Sequence, residues 1–265
     1  MMRSLYTAAS GLAAQQFNID TISNNLANVN TTGYKKIRPE FQDLFYTSLQ
    51  RPAAEQGGQA LASPMGLLVG HGVRPSGSQS LMDQGNPQKT DNALDAALMG
   101  RGFFVVSEDR EGLNRFYTRD GSFKQDAGGD IVTSDGYYVL SDNGDVINIP
   151  GGAQEICIAR DGLFSYTMPG DDEAINAGRL GVVQFANPVG LAREGHNLYQ
   201  VTAASGNPQA SIADSTVEQY YLESANVQVV DEIVNLITAQ RAYELNSKAV
   251  QAADEMLGIA NNLRR

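Results

Sequence analysis

Two imidazoles, one thiol and a scatter of carboxylates are the groups from which catalysis or metal binding would have to be built in this chain. His71 and His196 each adjoin a glycine, and neither has a second ligand at the short spacings that hold zinc, so no metal centre is expected from them. The run Gly170-Asp171-Asp172-Glu173 lacks the alternating oxygen ligands and distant bidentate glutamate of a calcium loop, and reads as a solvated turn. Asp171 and Glu173 carry no weight as an acid and base, because any acidic chain supplies such pairs. Gly100-Arg101-Gly102 precedes an extended run instead of following one and opening a helix, the wrong context for cradling a phosphate. Cys157, between Ile156 and Ile158, has no histidine partner and reads as a small buried hydrophobe. The expectation is therefore a non-enzymatic protein with no catalytic residue, metal, cofactor or small-molecule substrate.

What organises the chain is periodicity at its two ends. Leu5, Leu12, Ile19 and Leu26 recur every seven residues, and Ala8, Gln15, Ile22 and Val29 follow on the same period three residues later. That is the a/d seam of a coiled coil. Between Ser4 and Thr31 the only charged residue is Asp20, while asparagines and glutamines supply amides. A solvated face normally carries Lys and Glu, so this composition suits a helix packed on several sides. The C-terminal segment repeats the pattern through Val230, Val234, Leu245, Met256, Ile259 and Leu263, with Asp231 and Glu232 at its start and Arg264 and Arg265 at its end opposing the helix dipole.

Between the helices lie two regions of different character. Residues 31–95 are rich in Gly, Pro, Ser and Gln, with short extended runs at 67–69 and 80–82, and form an extended linker and β-hairpin region. From residue 96 to 216, short apolar runs alternate with turn signals such as Asp120-Gly121, Asp135-Gly136, Asn143-Gly144 and Asp161-Gly162. Strands are expected at 103–107, 116–119, 131–133, 137–140, 146–149, 156–159, 163–167, 182–185 and 198–201. The fold class is thus α+β. A discontinuous coiled-coil layer pairs residues 1–30 with 217–265, and a central all-β domain lies between. A two-helix layer cannot bury all its faces alone, and copies stacking through heterologous contacts that do not close generate a helical filament.

Charge narrows the partners. A net charge of −11 and a pI near 4.6 exclude a nucleic-acid footprint, which needs clustered cations. No stretch reaches the roughly 20 apolar residues of a bilayer span. Residues 1–14 superficially suggest a signal peptide, but Thr7, Ser10 and Gly11 break the apolar run and no convincing cleavage site follows, so this segment is read as mature protein.

The N-terminal run Ser23-Asn24-Asn25-Leu26-Ala27-Asn28-Val29-Asn30-Thr31-Thr32-Gly33-Tyr34-Lys35, the segments 100–105 and 117–123, and Gln240-Arg241-Ala242-Tyr243-Glu244 together resemble the axial protein family of the bacterial flagellum. This family includes rod and hook subunits. Asn28, Thr32, Gly33 and Tyr34 carry the first motif, and Gln240, Arg241, Tyr243 and Glu244 the last. The length, the run Val69-Gly70-His71-Gly72-Val73-Arg74, Gln84-Gly85-Asn86 and an insert over residues 47–63 resemble the members that build the distal rod. A hook subunit would carry a further outer domain, and a proximal rod subunit would be shorter or lack the β domain. One departure is Ala225, where the family has Ser before Asn226.

The resemblance implies a structural subunit that polymerises with itself into the distal rod, the rigid drive shaft between motor and hook. It implies passage through the flagellar type III export apparatus without a cleaved signal peptide, and a location from periplasm to outer membrane. The implied partners are other rod subunits, hook subunits or hook-cap and scaffold proteins, and the bushing rings of peptidoglycan and outer membrane. The seam residues Leu5, Leu12, Ile19, Ile22, Leu26 and Val29, with those of the C-terminal helix, would be the self-assembly interface. A competing class is a secreted adhesin whose helices merely trimerise.

Overall fold

The computed structural model describes residues 2–50, 66–170, 173–210 and 215–262. They fall into two compact units, the first built from the described parts of Met1–Leu26, Ile37–Gln79 and Val229–Arg265, the second from Ala27–Lys36 and Ser80–Gln228. Two helices and a β-rich remainder make the class α+β.

In the first unit, helix α1 spans Met2–Ala27 and helix α2 spans Val229–Asn262. At 1.5 Å per residue α2 is about 50 Å long. The first buries Ala8, Ala14, Thr21, Ile22 and Asn25. Asn25 uses both ends of its amide: Nδ2 donates to the Ile37 carbonyl (2.8 Å) and Oδ1 accepts from the Ile37 amide (2.9 Å), fixing where the next strand begins. That strand, Ile37–Asp43, pairs with Val73–Ser80, and Tyr46–Gln50 pairs antiparallel with Leu67–Gly70. Gly72 adopts φ +105 beside α1, where a Cβ would collide with the Ser10 hydroxyl. Gly11 of α1 lies against Asn246 of α2, and an added Cβ there would meet Nδ2 at 2.9 Å.

Glu232, Ala239 and Ala253 are the buried residues of α2, and Asn246, on the same seven-residue spacing, is half-buried. The stripe that α2 turns inward is therefore a small and polar one, distinct from the stripe of large aliphatics at Val230, Val234, Leu245, Met256 and Ile259. Alanine permits close approach, whereas branched and long side chains on that face would hold a neighbour away.

The second unit holds the cores. Strand Phe103–Ser107 is fully buried and has neighbours on both edges: Arg115–Thr118 on one, and Tyr138–Val139 and Val182–Gln184 on the other. Phe104, Phe123, Ile131, Ile147, Ile149, Phe164 and Leu180 close one apolar cluster, and Phe103, Tyr117, Leu140, Phe185, Leu191 and Tyr199 a second. Residues 146–149, expected as a strand, make only isolated bridges, Leu140 with Val146 and Asp130 with Asn148. Ile147 and Ile149 are nonetheless completely buried, so core packing rather than a ladder explains their apolar character. Cys157 is exposed, against expectation. Alternation along Gln154–Ile158 turns Ile158 inward and Cys157 out, with the register shifting between Gln154 and Cys157.

Residues 217–228, grouped in the sequence with the C-terminal helix, belong to the second unit. Ser215–Gln219 pairs in register with Ala96–Gly100, and Tyr221–Glu223 with Pro87–Lys89. These two short ladders carry the chain to Glu223.

Candidate self-assembly surface and its anchorage

Glu223 is the centre of a buried charged cluster in the second unit. Its Oε1 accepts from Lys35 Nζ at 2.5 Å and from the Gly85 amide at 2.8 Å, and its Oε2 accepts from Arg119 Nη1 at 3.2 Å. All three side chains are nearly devoid of solvent contact. Lys35 also donates to the Asp83 carbonyl (2.8 Å) and Arg119 Nη2 to the Gly100 carbonyl (2.8 Å), whereas the buried Arg119 Nε has no hydrogen-bond partner among the described residues. Two cations share one anion. Burial lowers the Lys35 ammonium below its ordinary value, with Glu223 opposing and Arg119 assisting, and burial likewise lowers Arg119.

Around this cluster the segment after α1 is stitched down residue by residue. Thr32 Oγ1 donates to Asp120 Oδ1 (2.9 Å), the Gly33 amide to the Glu223 carbonyl (2.7 Å), and Asn197 Nδ2 to the Thr32 carbonyl (3.1 Å). Gly33 adopts φ +67, and a Cβ there would lie 2.7 Å from the Asp120 amide nitrogen, so both conformation and space call for glycine. Arg193 Nη2 donates to the Lys35 carbonyl (2.6 Å), and its guanidinium lies 5.5 Å from the Tyr34 ring and 5.6 Å from the Tyr199 ring. Asn226 accepts from the Lys36 amide (2.7 Å) and donates to the Leu81 and Asp83 carbonyls (2.8 and 3.1 Å). The two stretches that continue into α1 and α2 are thereby held side by side in one unit. Asn28, with Thr31 Oγ1 on its Oδ1 (3.2 Å), lines a groove there with Tyr34, Arg193 and Tyr199.

The first unit presents the opposite chemistry. Among the described residues, its exposed large hydrophobics are seven at or before Leu68 (Phe45 among them) and nine on α2, against four in the second unit. Val230 is 74% exposed, Leu245 66%, Ile259 61%, Val234 53% and Met256 50%. Of the α1 seam, Ile22 is buried and Leu5, Leu12, Ile19 and Leu26 are half-buried. Val29 lies past the helix in the second unit, and Leu263 lies outside the described residues. Gln240, Arg241, Tyr243 and Glu244 are exposed on α2. His71 Nε2 sits 2.6 Å from Thr47 Oγ1, while most of the insert, residues 51–63, and the pair Asp171 and Asp172 lie outside the described residues. No group of three metal-ligating side chains occurs among the described residues, and none of the described helices is long and apolar enough to cross a membrane.

Sequence reasoning missed Glu223, Arg119 and Arg193 as anchoring groups and took Lys35 only as the end of a motif. No local signal marked them: a lysine two residues past a turn glycine reads as solvated, and the carboxylate it meets lies far along the chain.

Comparison with known proteins covers the same regions. Residues 5–35 match the family described as flagella basal body rod protein, residues 97–166 the flagellar hook protein FlgE/F/G D1 domain, and residues 218–263 the flagellar basal body rod FlgEFG protein C-terminal family. The flagellar basal-body rod protein FlgG of Borreliella burgdorferi is 45% identical over 100% of both chains. The FlgG proteins of Agrobacterium fabrum and Bacillus subtilis are 43% and 35% identical, over 98% and 100% of each chain respectively.

Proposed function

This chain belongs to the flagellar basal-body rod protein family, and from that premise we propose that it is the repeating structural subunit of the distal rod. The observation that carries the reading is the uneven distribution of apolar surface. The second unit closes two cores of its own, whereas the first leaves nine large hydrophobics of α2 at least 40% exposed. Burying the remaining half of those nine side chains is worth roughly 7–14 kcal/mol at 1.5–3 kcal/mol each, comparable with the association cost of about 4–15 kcal/mol. Copies packing through α1 and α2 supply that burial, with Leu12, Ile19, Leu26, Val234, Leu245 and Ile259 at the contacts.

In this reading the subunit reaches its site through the flagellar export apparatus and polymerises between periplasm and outer membrane. It meets other rod subunits below, hook or scaffold subunits above, and the bushing rings around it. The rod family membership disfavours the adhesin class. Electron microscopy of the purified full chain at rising concentration tests the reading: straight helical tubes are expected above a critical concentration. A closed trimer at every concentration overturns it.

A further inference from the structure

The hairpin of Phe103–Ser107 and Arg115–Thr118 has a cleft at one end and a knob at the other. At the first end, a cleft of about 310 Å³ is lined by Met82, Arg101, Phe103, Arg119, Phe185 and Pro188, with Asp83 at its side. That volume is at the small end of ligand pockets and suits a side chain better than a cofactor. Its aromatic wall is rigid, with Phe103 edge-on to Phe185 at 5.9 Å and to Tyr199 at 5.4 Å. Arg101 is exposed and has no ion-pair partner among the described residues. Arg101, Arg119 and Lys35 against Asp83 and Glu223 leave one net positive charge here, on a chain whose total is −11.

At the far end, five residues or about 17 Å along the strand, the loop 108–113 presents the complement. Leu113 is 75% exposed, although two apolar cores in its own unit were available to it. Glu108 and Glu111 beside it are exposed, and Arg110 is drawn off to Asp130 at 3.2 Å. The loop is braced: the Gly112 amide donates to the Asp109 carbonyl (3.1 Å), Asn114 Nδ2 to Asp109 Oδ2 (2.8 Å) and Arg115 Nε to the Gly112 carbonyl (3.0 Å). A stiff acidic knob with an apolar tip costs little entropy to dock.

We propose that the 108–113 loop of one copy seats in this cleft of the next copy, Glu111 pairing with Arg101 and Leu113 filling the apolar wall. The inference rests on the polymeric reading above and adds a specific contact outside the helices. Because knob and cleft lie at opposite ends of one hairpin, the contact is head-to-tail, the heterologous kind that propagates a filament where its rotation does not close a ring.

A charge swap tests it on the full chain. Arg101→Glu and Glu111→Arg should each raise the critical concentration for polymerisation about tenfold or more, as loss of a partly buried interfacial pair does, and the double variant should return to within about threefold of wild type. Leu113→Asp should also impair assembly, with no swap to rescue it. All three side chains are exposed, so the thermal midpoint of the unassembled protein should not move and a folding defect is distinguishable. Polymerisation indifferent to the single changes, or a double variant as impaired as the two effects combined, overturns the contact while leaving the polymer in place. Homopolymers that form normally but no longer join a different rod or hook subunit assign the cleft to another occupant and overturn it too. Absence of polymer from the wild-type chain defeats both readings.

Discussion

Replacing Glu223 by glutamine keeps the shape of the buried cluster and removes its only negative charge. Lys35 and Arg119, fully buried and 4% exposed at their side chains, are then left with carbonyls as hydrogen-bond partners and only the exposed Asp83 carboxylate as a nearby opposite charge. Breaking a buried pair by deleting one partner costs about 3–5 kcal/mol, because the surviving charge stays desolvated. Here two survive, so the upper part of that range is expected for Glu223→Gln. At about 2–4 °C per kcal/mol for a unit of this size, the melting midpoint of the second unit should fall by roughly 10–20 °C. Lys35→Met gives the contrasting case. It leaves one cation facing one anion, Glu223 keeps Arg119 and the Gly85 amide, and the Asp83 carbonyl keeps Asn226. Its cost should stay below about 2 kcal/mol, within the range of burying a methionine stem where an ammonium stood. Urea titrations followed by near-ultraviolet circular dichroism of the tyrosines measure both. If Lys35→Met is as damaging as Glu223→Gln, the excess of cations over anions does not govern the cluster and the argument fails.

Four further outcomes follow from the same structure. Gly85→Ala should lose about 2–3 kcal/mol, because a Cβ there would lie 1.9 Å from the Ser224 carbonyl oxygen; a wild-type urea midpoint would contradict it. Between the lowered folded pKa of Lys35 and 10.5, the unfolded chain holds a proton that the folded chain releases, so stability should rise with pH in that window. Above about pH 10 burial keeps the Tyr199 and Tyr117 phenols protonated when the unfolded chain gives up those protons, so stability should fall; Tyr199→Phe should shrink that fall in alkaline melts. Val234→Asp and Ile259→Asp should leave monomer stability within about 0.5 kcal/mol, as exposed substitutions do, and abolish sedimentable polymer; unimpeded polymer formation would show this face of α2 to be free in the assembly.

Both helices were legible because a seven-residue spacing has no other simple reading, and strands 103–107 and 163–167 because unbroken or alternating apolar runs stood between turn signals. The inward stripe of α2 was hidden by its own composition. Glu232, Ala239, Asn246 and Ala253 carry little hydrophobicity, while the outward aliphatics dominate any periodicity. Cys157 was misjudged by composition, although the period-two alternation flanking it places Ile158 inward and the thiol out. The charged cluster was beyond local pattern: Lys35 and Arg119 reach a residue 188 and 104 positions away, respectively. A Lys-Lys pair near a turn reads as solvated until the partner carboxylate is known.

The same distance explains what the cluster contributes. An apolar trio at Lys35, Arg119 and Glu223 would bury comparable surface and tolerate several registers of the segments that meet there. A carboxylate that must accept from Lys35, Arg119 and the Gly85 amide at once, while those cations satisfy the Asp83 and Gly100 carbonyls, tolerates one. The segments so registered are those where the chain leaves the second unit, at Lys36 and beyond Asn226, joined by the 2.7 Å bond between them. A filament repeats whatever geometry its subunit presents, so a slip at those exits would recur at every copy. Charge buried at such a junction exchanges some stability for a single register, which is the property a polymerising subunit requires at that point in its chain.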